Sequence, residues 1–197
     1  MDETLRAMDD VVRAGKARYV GCSNYHAWQV ARALGRSEVM GVVRFDSVQP
    51  RYNLLFRQIE RELLPLCREE SIGVIPYNPL AGGFLTGKHR RDAGPTAGTR
   101  FTLGNAGPRY QERYWHEREF ETVEALRPLA KEAGMSMTEL AIAWTLANPV
   151  ITSPIVGASR PDQLDEVLRA TEKPLAADLK ARLDALTLEY RFGDDVR

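Results

Sequence analysis

The chain has 197 residues, 44% hydrophobic and 27% charged; Lys plus Arg and Asp plus Glu each number 27, so its formal net charge is zero. This is the composition of one soluble globular domain, and it excludes a disordered, collagen-like or disulfide-rich chain. Balanced charge argues against nucleic acid or an anionic membrane as the main partner, and no apolar run reaches the roughly 18–20 residues that span a bilayer. The N-terminal stretch MDETLRAMDD is acidic and lacks the basic and apolar regions of a signal peptide. The two cysteines, Cys22 and Cys67, have no CxxC spacing, which fits a reducing cytoplasm and offers no metal site.

In chain order, Asp2 to Ala14 places Leu5, Met8, Val11 and Val12 at helical spacing, with Gly15 behind them as a cap. ARYVGC, residues 17–22, predicts a strand ending at Ser23-Asn24, and a helix follows from His26 to Leu34, stopping at Gly35. FDSV, residues 45–48, predicts a short strand ending at Gln49-Pro50, followed by a helix over 57–70. IGVIP, residues 72–76, is a third strand and runs into Tyr77-Asn78-Pro79-Leu80. The Gly-, Pro- and Arg-rich segment 81–114 is expected to be irregular, with the length of a lid, a binding loop or a disordered stretch. Helices follow over 117–133 and 136–147, the second opening with the capping box Ser136…Glu139. SPIV, residues 153–156, predicts a fourth strand leading into Gly157-Ala158-Ser159, then a helix from Pro161 to Ala170 and a last one over 176–189. Repeated strand–helix units predict a parallel sheet, whose chemistry gathers at the C-terminal strand ends. Here those ends are all polar or Gly-rich.

Ser23, Asn24 and Gln49 are neutral groups that donate and accept hydrogen bonds, so together they match a carboxamide. The plainer reading is that Ser23 and Asn24 cap the next helix. Tyr77 offers a flat face for a planar ring, and the Gly pair after it admits a ligand close to the backbone; a core Tyr before a tight turn is the alternative. Gly157-Ala158-Ser159-Arg160, between a strand and a helix N-terminus, suits a phosphate, or is an ordinary turn with an exposed Arg. Lys88, in FLTGKHRR, either reaches a ligand from the loop or is simply solvated. His26, His89 and His116 stand in no metal-ligand spacing and read as surface or helix-face residues. No GxSxG, phosphate-loop or GxGxxG pattern occurs.

Together and in order, GKARYVGCSNY, FDSVQPRYNLL, VIPYNPLAGGFLTGK and PIVGASRPDQLDEVL resemble the second half of an aldo-keto reductase. The branch most resembled is that of bacterial reductases related to potassium-channel beta subunits. The resemblance implies a (β/α)8 barrel that binds NADP(H) without a Rossmann motif and reduces a carbonyl. It implies that Ser23, Asn24 and Gln49 hold the nicotinamide carboxamide, with Tyr77 stacked on its ring. Asn78, Pro79, Leu80, Ala81 and Gly82 would line the pyrophosphate channel, with Lys88 and Arg100 closing over it. Gly157, Ser159 and Arg160 would meet the adenosine 2′-phosphate, and Gln163 and Glu166 the adenosine. Where the family has Asn after that Glu, this chain has Val167, which removes one expected contact.

A full barrel takes roughly 250 residues. Residues 1–197 are therefore expected to form a single, N-terminally truncated domain comprising strands five to eight. The family's catalytic Asp, Tyr, Lys and His belong to the earlier strands, so no catalytic residue is expected here. Three readings follow: the cofactor half of a carbonyl reductase, a non-catalytic NADP(H)-binding or regulatory half-barrel, or a truncated gene product. An open half-barrel is also expected to expose inward apolar side chains and to self-associate or pair with a complementary half.

Overall fold

The structure is a computed structural model that describes residues 1–193. Helix α1, Asp2–Arg13, carries Asp2 and Glu3 in its first turn, where the helix dipole favours negative charge. Leu5 is fully buried, and Met8 and Val12 join it against Val20, Ala33 and Phe45, whereas Val11 is exposed. The Asp9 carboxylate accepts the Val43 N–H at 3.1 Å and ties α1 to the approach to the second strand.

Strands β1 (Val20–Ser23), β2 (Phe45–Gln49) and β3 (Gly73–Val74) form a parallel sheet in the order β1-β2-β3. Val48 and Val74 enter the main core with Val30, Leu64 and Cys67. The opposite set is small and polar: Gly21, Ser23 and Gln49 are exposed, and Ser47 and Gly73 half-exposed. These strand positions carry Gly, Ser and Gln, while the exposed apolar side chains, Tyr19 and Ile155, stand at the margins of the sheet.

The fourth predicted strand is corrected. Among the described residues the sheet has three strands, and segment 151–155 touches it only through isolated parallel bridges, Val74 with Ile151 and Tyr77 with Ile155. Thr152 and Ile155 donate to the carbonyls of Val74 and Pro76, at 2.9 and 2.7 Å. Pro154 has no N–H, and neither does Pro76 on the facing segment, so no continuous ladder forms. What the chain shows is an α/β fold with a parallel sheet and a majority of helix.

Helix α2 spans Ala27–Met40 and passes straight through Gly35; it ends at Gly41, which adopts a left-handed φ of 63°. Interior glycine costs about 1 kcal/mol, less than burying Val30 and Ala33 returns. The predicted helix 57–70 is split into a 3-10 turn, Gln58–Glu60, and α3, Leu63–Glu69. Pro65 lies in the first turn of α3, where its missing N–H breaks no intrahelical bond, whereas a helix running through it from Arg57 would lose one. Segment 81–114 contains a 3-10 stretch, Ala81–Thr86, and helix α4, Gly107–Tyr114. The remaining helices are α5 (Glu117–Glu132), α6 (Met137–Leu146), α7 (Asp162–Thr171) and α8 (Ala177–Leu186), the last followed by a 3-10 turn, Leu188–Phe192.

The capping box at α6 is formed. Glu139 N–H donates to Ser136 Oγ at 3.1 Å, and Ser136 N–H to Glu139 Oε2 at 2.8 Å. The buried Glu139 carboxylate also receives Arg169 and Lys173, at 2.9 and 3.0 Å. Burial alone would raise its pKa, but these bonds hold it at about 2. One acidic side chain thus caps α6 and fastens α7 and the residues behind it.

Candidate functional site

The C-terminal ends of β1 and β2 bring Ser23, Asn24 and Gln49 together. Ser23 Oγ and Asn24 N–H both donate to the Gln49 carbonyl, at 2.9 and 3.2 Å. Asn24 adopts a left-handed φ of 58°, which Asn tolerates better than most residues. The cap of α2 is His26, whose N–H donates to Gln29 Oε1 at 2.8 Å, so the capping reading of Ser23 and Asn24 does not hold. Tyr77 follows β3, and its hydroxyl donates to Asn24 Oδ1 at 3.0 Å across the ends of the sheet. Its ring is half-exposed, and its backbone is held by Pro50 O and Tyr52 N. Uncharged donors and acceptors therefore surround a partly open aromatic face at one end of the parallel strands.

Asn78, with a φ of 63°, organises the turn after Tyr77. Its Oδ1 accepts Gly82 N–H at 2.6 Å, its Nδ2 donates to Tyr114 Oη at 2.9 Å, and Asn53 Nδ2 donates to its carbonyl at 3.0 Å. Pro79 and Ala81 are buried and Leu80 half-buried, so these three offer a ligand little beyond their backbone. Gly82 has a φ of 69°, and a Cβ there would come within 2.5 Å of the Tyr110 ring. Tyr110 thus packs closely on the Cβ side of Gly82, which is itself half-exposed. Beside it, Lys88 Nζ lies 3.3 Å from where a Gly83 Cβ would stand, and Lys88 itself is exposed.

The bridge between Tyr77 and Ile155 brings Gly157 and the start of α7 onto the same rim. Arg100, from the long loop, places a guanidinium nitrogen 3.9 Å from where a Gly157 Cβ would be. Gln163 Oε1 accepts Ser159 N–H at 2.8 Å, Ser159 Oγ at 3.2 Å and Arg160 N–H at 3.4 Å. The Arg160 guanidinium makes two bonds to the Asp162 carboxylate, at 3.1 and 3.2 Å, which lowers the Asp162 pKa. Glu166 is half-buried, and its charge acts on Arg169 of the same helix. Val167 is buried against Ile142 and Ala170, so the position serves the core.

His89 corrects the expectation of a surface histidine. It is only 5% exposed, its ring lies between Phe84, Phe101 and Trp115, and neither nitrogen has a hydrogen-bond partner among the described residues. Burial, reinforced by Lys88, lowers its pKa to about 4. These aromatics anchor the loop that carries Lys88 and Arg100. Irregular spacing hid the roles of these residues and of Tyr110 and Tyr114; Asn53, Phe84, His89 and Asp162 lie within the quoted motifs, but nothing in the motifs marked what they contact.

Burial raises both thiols to about 11, so neither Cys22 nor Cys67 is an activated nucleophile. Among the described residues no group of metal-binding side chains occurs, and no helix is long and apolar enough to cross a membrane. A cavity of about 280 Å³, lined by Tyr25, Trp28, Ile59 and Arg61 among others, includes none of the expected cofactor residues.

Against known proteins, the model of the aldo/keto reductase family matches residues 1–187. A probable voltage-gated potassium channel subunit beta of Arabidopsis thaliana is 37% identical over 173 residues, covering 87% of this chain and 52% of that protein. An uncharacterized oxidoreductase of Bacillus subtilis is 34% identical over 184 residues, covering 93% and 53%. Versiconal hemiacetal acetate reductase of Aspergillus parasiticus is 34% identical over 181 residues, covering 90% and 50%. The chain spans about half the length of these relatives. Strand ends joined by Ser23, Asn24, Gln49 and Tyr77, with a family match over nearly the whole sequence, lead to one assignment: the chain belongs to the aldo/keto reductase family.

Proposed function

We propose that the chain is the NADP(H)-binding half of a carbonyl reductase, corresponding to the later strands of a (β/α)8 barrel. The observation that carries this reading is the junction of Ser23, Asn24, Gln49 and Tyr77 at the strand ends. A nicotinamide carboxamide carries one donor and one acceptor group, which this neutral cluster complements, and Tyr77 presents a ring face beside it. The donors of Ser159 and Arg160, together with Arg100, form a set that an anionic 2′-phosphate would satisfy. In this reading Gln163 and Glu166 meet the adenosine, and the backbone over Asn78–Gly82, with Lys88, meets the pyrophosphate.

Once bound, the reduced nicotinamide supplies a hydride for an aldehyde or ketone carbon. The chain's own part is to orient that ring: Ser23, Asn24 and Gln49 set its rotation, and Tyr77 screens one face from water. Tyr77 cannot double as a proton donor while its hydroxyl is committed to Asn24. A proton for the carbonyl oxygen must come from residues outside this set, and the chain alone is inactive. The free thiols of Cys22 and Cys67 support a reducing, cytoplasmic setting. A second reading, a non-catalytic binding or regulatory half that pairs with another chain, draws on the similarity to the plant protein whose name is that of a potassium channel subunit.

Calorimetric titration with NADPH and NADH tests the main reading. Wild type is expected to bind NADPH more tightly, by about tenfold, and Arg160→Ala to erase the difference. Aldehyde reduction with NADPH is expected to be absent. Equal affinity for both dinucleotides, or turnover that Tyr77→Phe abolishes, overturns the assignment.

A further inference from the structure

The turn ahead of α7 is occupied by the chain's own oxygens. Gln163 Oε1 takes both backbone N–H groups and the hydroxyl, and the Asp162 carboxylate takes the Arg160 guanidinium in a paired arrangement. Gln163 is neutral and yields to a stronger acceptor. Asp162 differs: like any aspartate it is an anion at neutral pH, and it is seated where the phosphate oxygens of a ligand would meet Arg160. A phosphate entering this turn has to displace one carboxylate and remain near it.

We propose that Asp162 is a specificity-determining residue which competes with the ligand's phosphate for Arg160 and so limits preference for the 2′-phosphorylated dinucleotide. This rests on the reading of the α7 turn as a 2′-phosphate site. Both side chains are well exposed, 66% and 64%, which places the strength of their pairing in the range of surface ion pairs. Freed of Asp162, Arg160 gains a ligand phosphate without first losing a partner, and the repulsion between two anions disappears.

The test is a double-mutant cycle on the full 197-residue chain, with dissociation constants measured by calorimetry for NADPH, NADH, adenosine 2′,5′-bisphosphate and 5′-AMP. Asp162→Asn keeps the shape and removes the charge. It is expected to tighten both 2′-phosphorylated ligands about three- to fivefold and to leave NADH and 5′-AMP unchanged. In the Arg160→Ala background the same change is expected to do nothing. Asp165→Asn removes an equal charge from the first turn of the same helix without touching Arg160, and is expected to give no selective gain.

A gain shared by all ligands, reproduced by Asp165→Asn or retained without Arg160 would mean a general charge effect and overturn the proposal. An Arg160-dependent preference that Asp162→Asn leaves unchanged overturns the role of Asp162 alone. Absence of any preference in wild type, unaltered in Arg160→Ala, overturns the phosphate reading and Asp162 with it.

Discussion

At the scale of single residues, the polar side chains behind the strand ends take most of their partners from distant parts of the sequence. Asn78 bonds with Asn53, Gly82 and Tyr114, and Tyr77 with Asn24. His89 differs: aromatics pack its ring, and neither nitrogen has a hydrogen-bond partner among the described residues. Its pKa falls from 6.5 to about 4 in the folded chain, so the native state binds fewer protons than the unfolded state in that interval. Its contribution to stability is complete above about pH 6.5 and declines as pH falls towards 4. His89→Phe preserves an aromatic ring and removes the proton site, so its melting temperature is expected to vary less than wild type between pH 6.5 and 4. Parallel curves for the two proteins over that interval would show that His89 takes up its proton without cost. Glu139, held at about 2 against an ordinary 4.5, loses its contribution only below pH 4.5, so the two effects separate on the pH axis.

At the scale of elements, the sheet depends on a close approach that a side chain would block. A Cβ on Gly21 would stand 2.3 Å from Ser47 Oγ and 2.7 Å from Ser47 O, where the register between β1 and β2 slips. The second contact is with backbone, so no rotamer change at Ser47 relieves it. Gly21→Val is expected to cost about 2–4 kcal/mol in urea unfolding and to loosen the contact of Ser23 with Gln49. Unfolding with an unchanged midpoint would mean that the strands separate freely at this point. The helices follow similarly plain rules. Gly41 rather than Gly35 ends α2 because it, and not Gly35, takes the left-handed conformation. Pro65 delays α3, and Pro154 reduces segment 151–155 to separate bridges.

At the scale of the whole molecule, β1 has β2 as its sheet neighbour, and its other edge has no strand among the described residues. Tyr19, just ahead of that strand, is 77% exposed, and Ile155 at the opposite side of the sheet is 40% exposed. Unpaired edges template association, although the small, polar face over Gly21, Ser47 and Gly73 weakens the apolar drive. Sedimentation at several concentrations is expected to show a dimer or larger species, with thermal unfolding that shifts with concentration. A concentration-independent monomer with one sharp transition would show that these edges are self-sufficient.

The alternation of β-prone runs with amphipathic stretches places α1, α5, α6, α7 and α8 to within a few residues, together with the parallel sheet and the Ser136–Glu139 cap. It ends α2 six residues early, starts α3 six residues early and misses α4. What it places depends on neighbours in the chain, where periodicity and capping chemistry act. The polar strand ends were legible for the same reason, as parallel strands must end in loops on one side. The tertiary structure alone decided how those ends are joined and which atoms stay available. Tyr77 reaches Asn24, Asn53 reaches Tyr114, and the loop histidine enters an aromatic cluster because distant segments fold onto one another. It likewise decided that segment 151–155 would not complete a ladder, because a strand needs donors on both itself and its neighbour, and prolines stand on each.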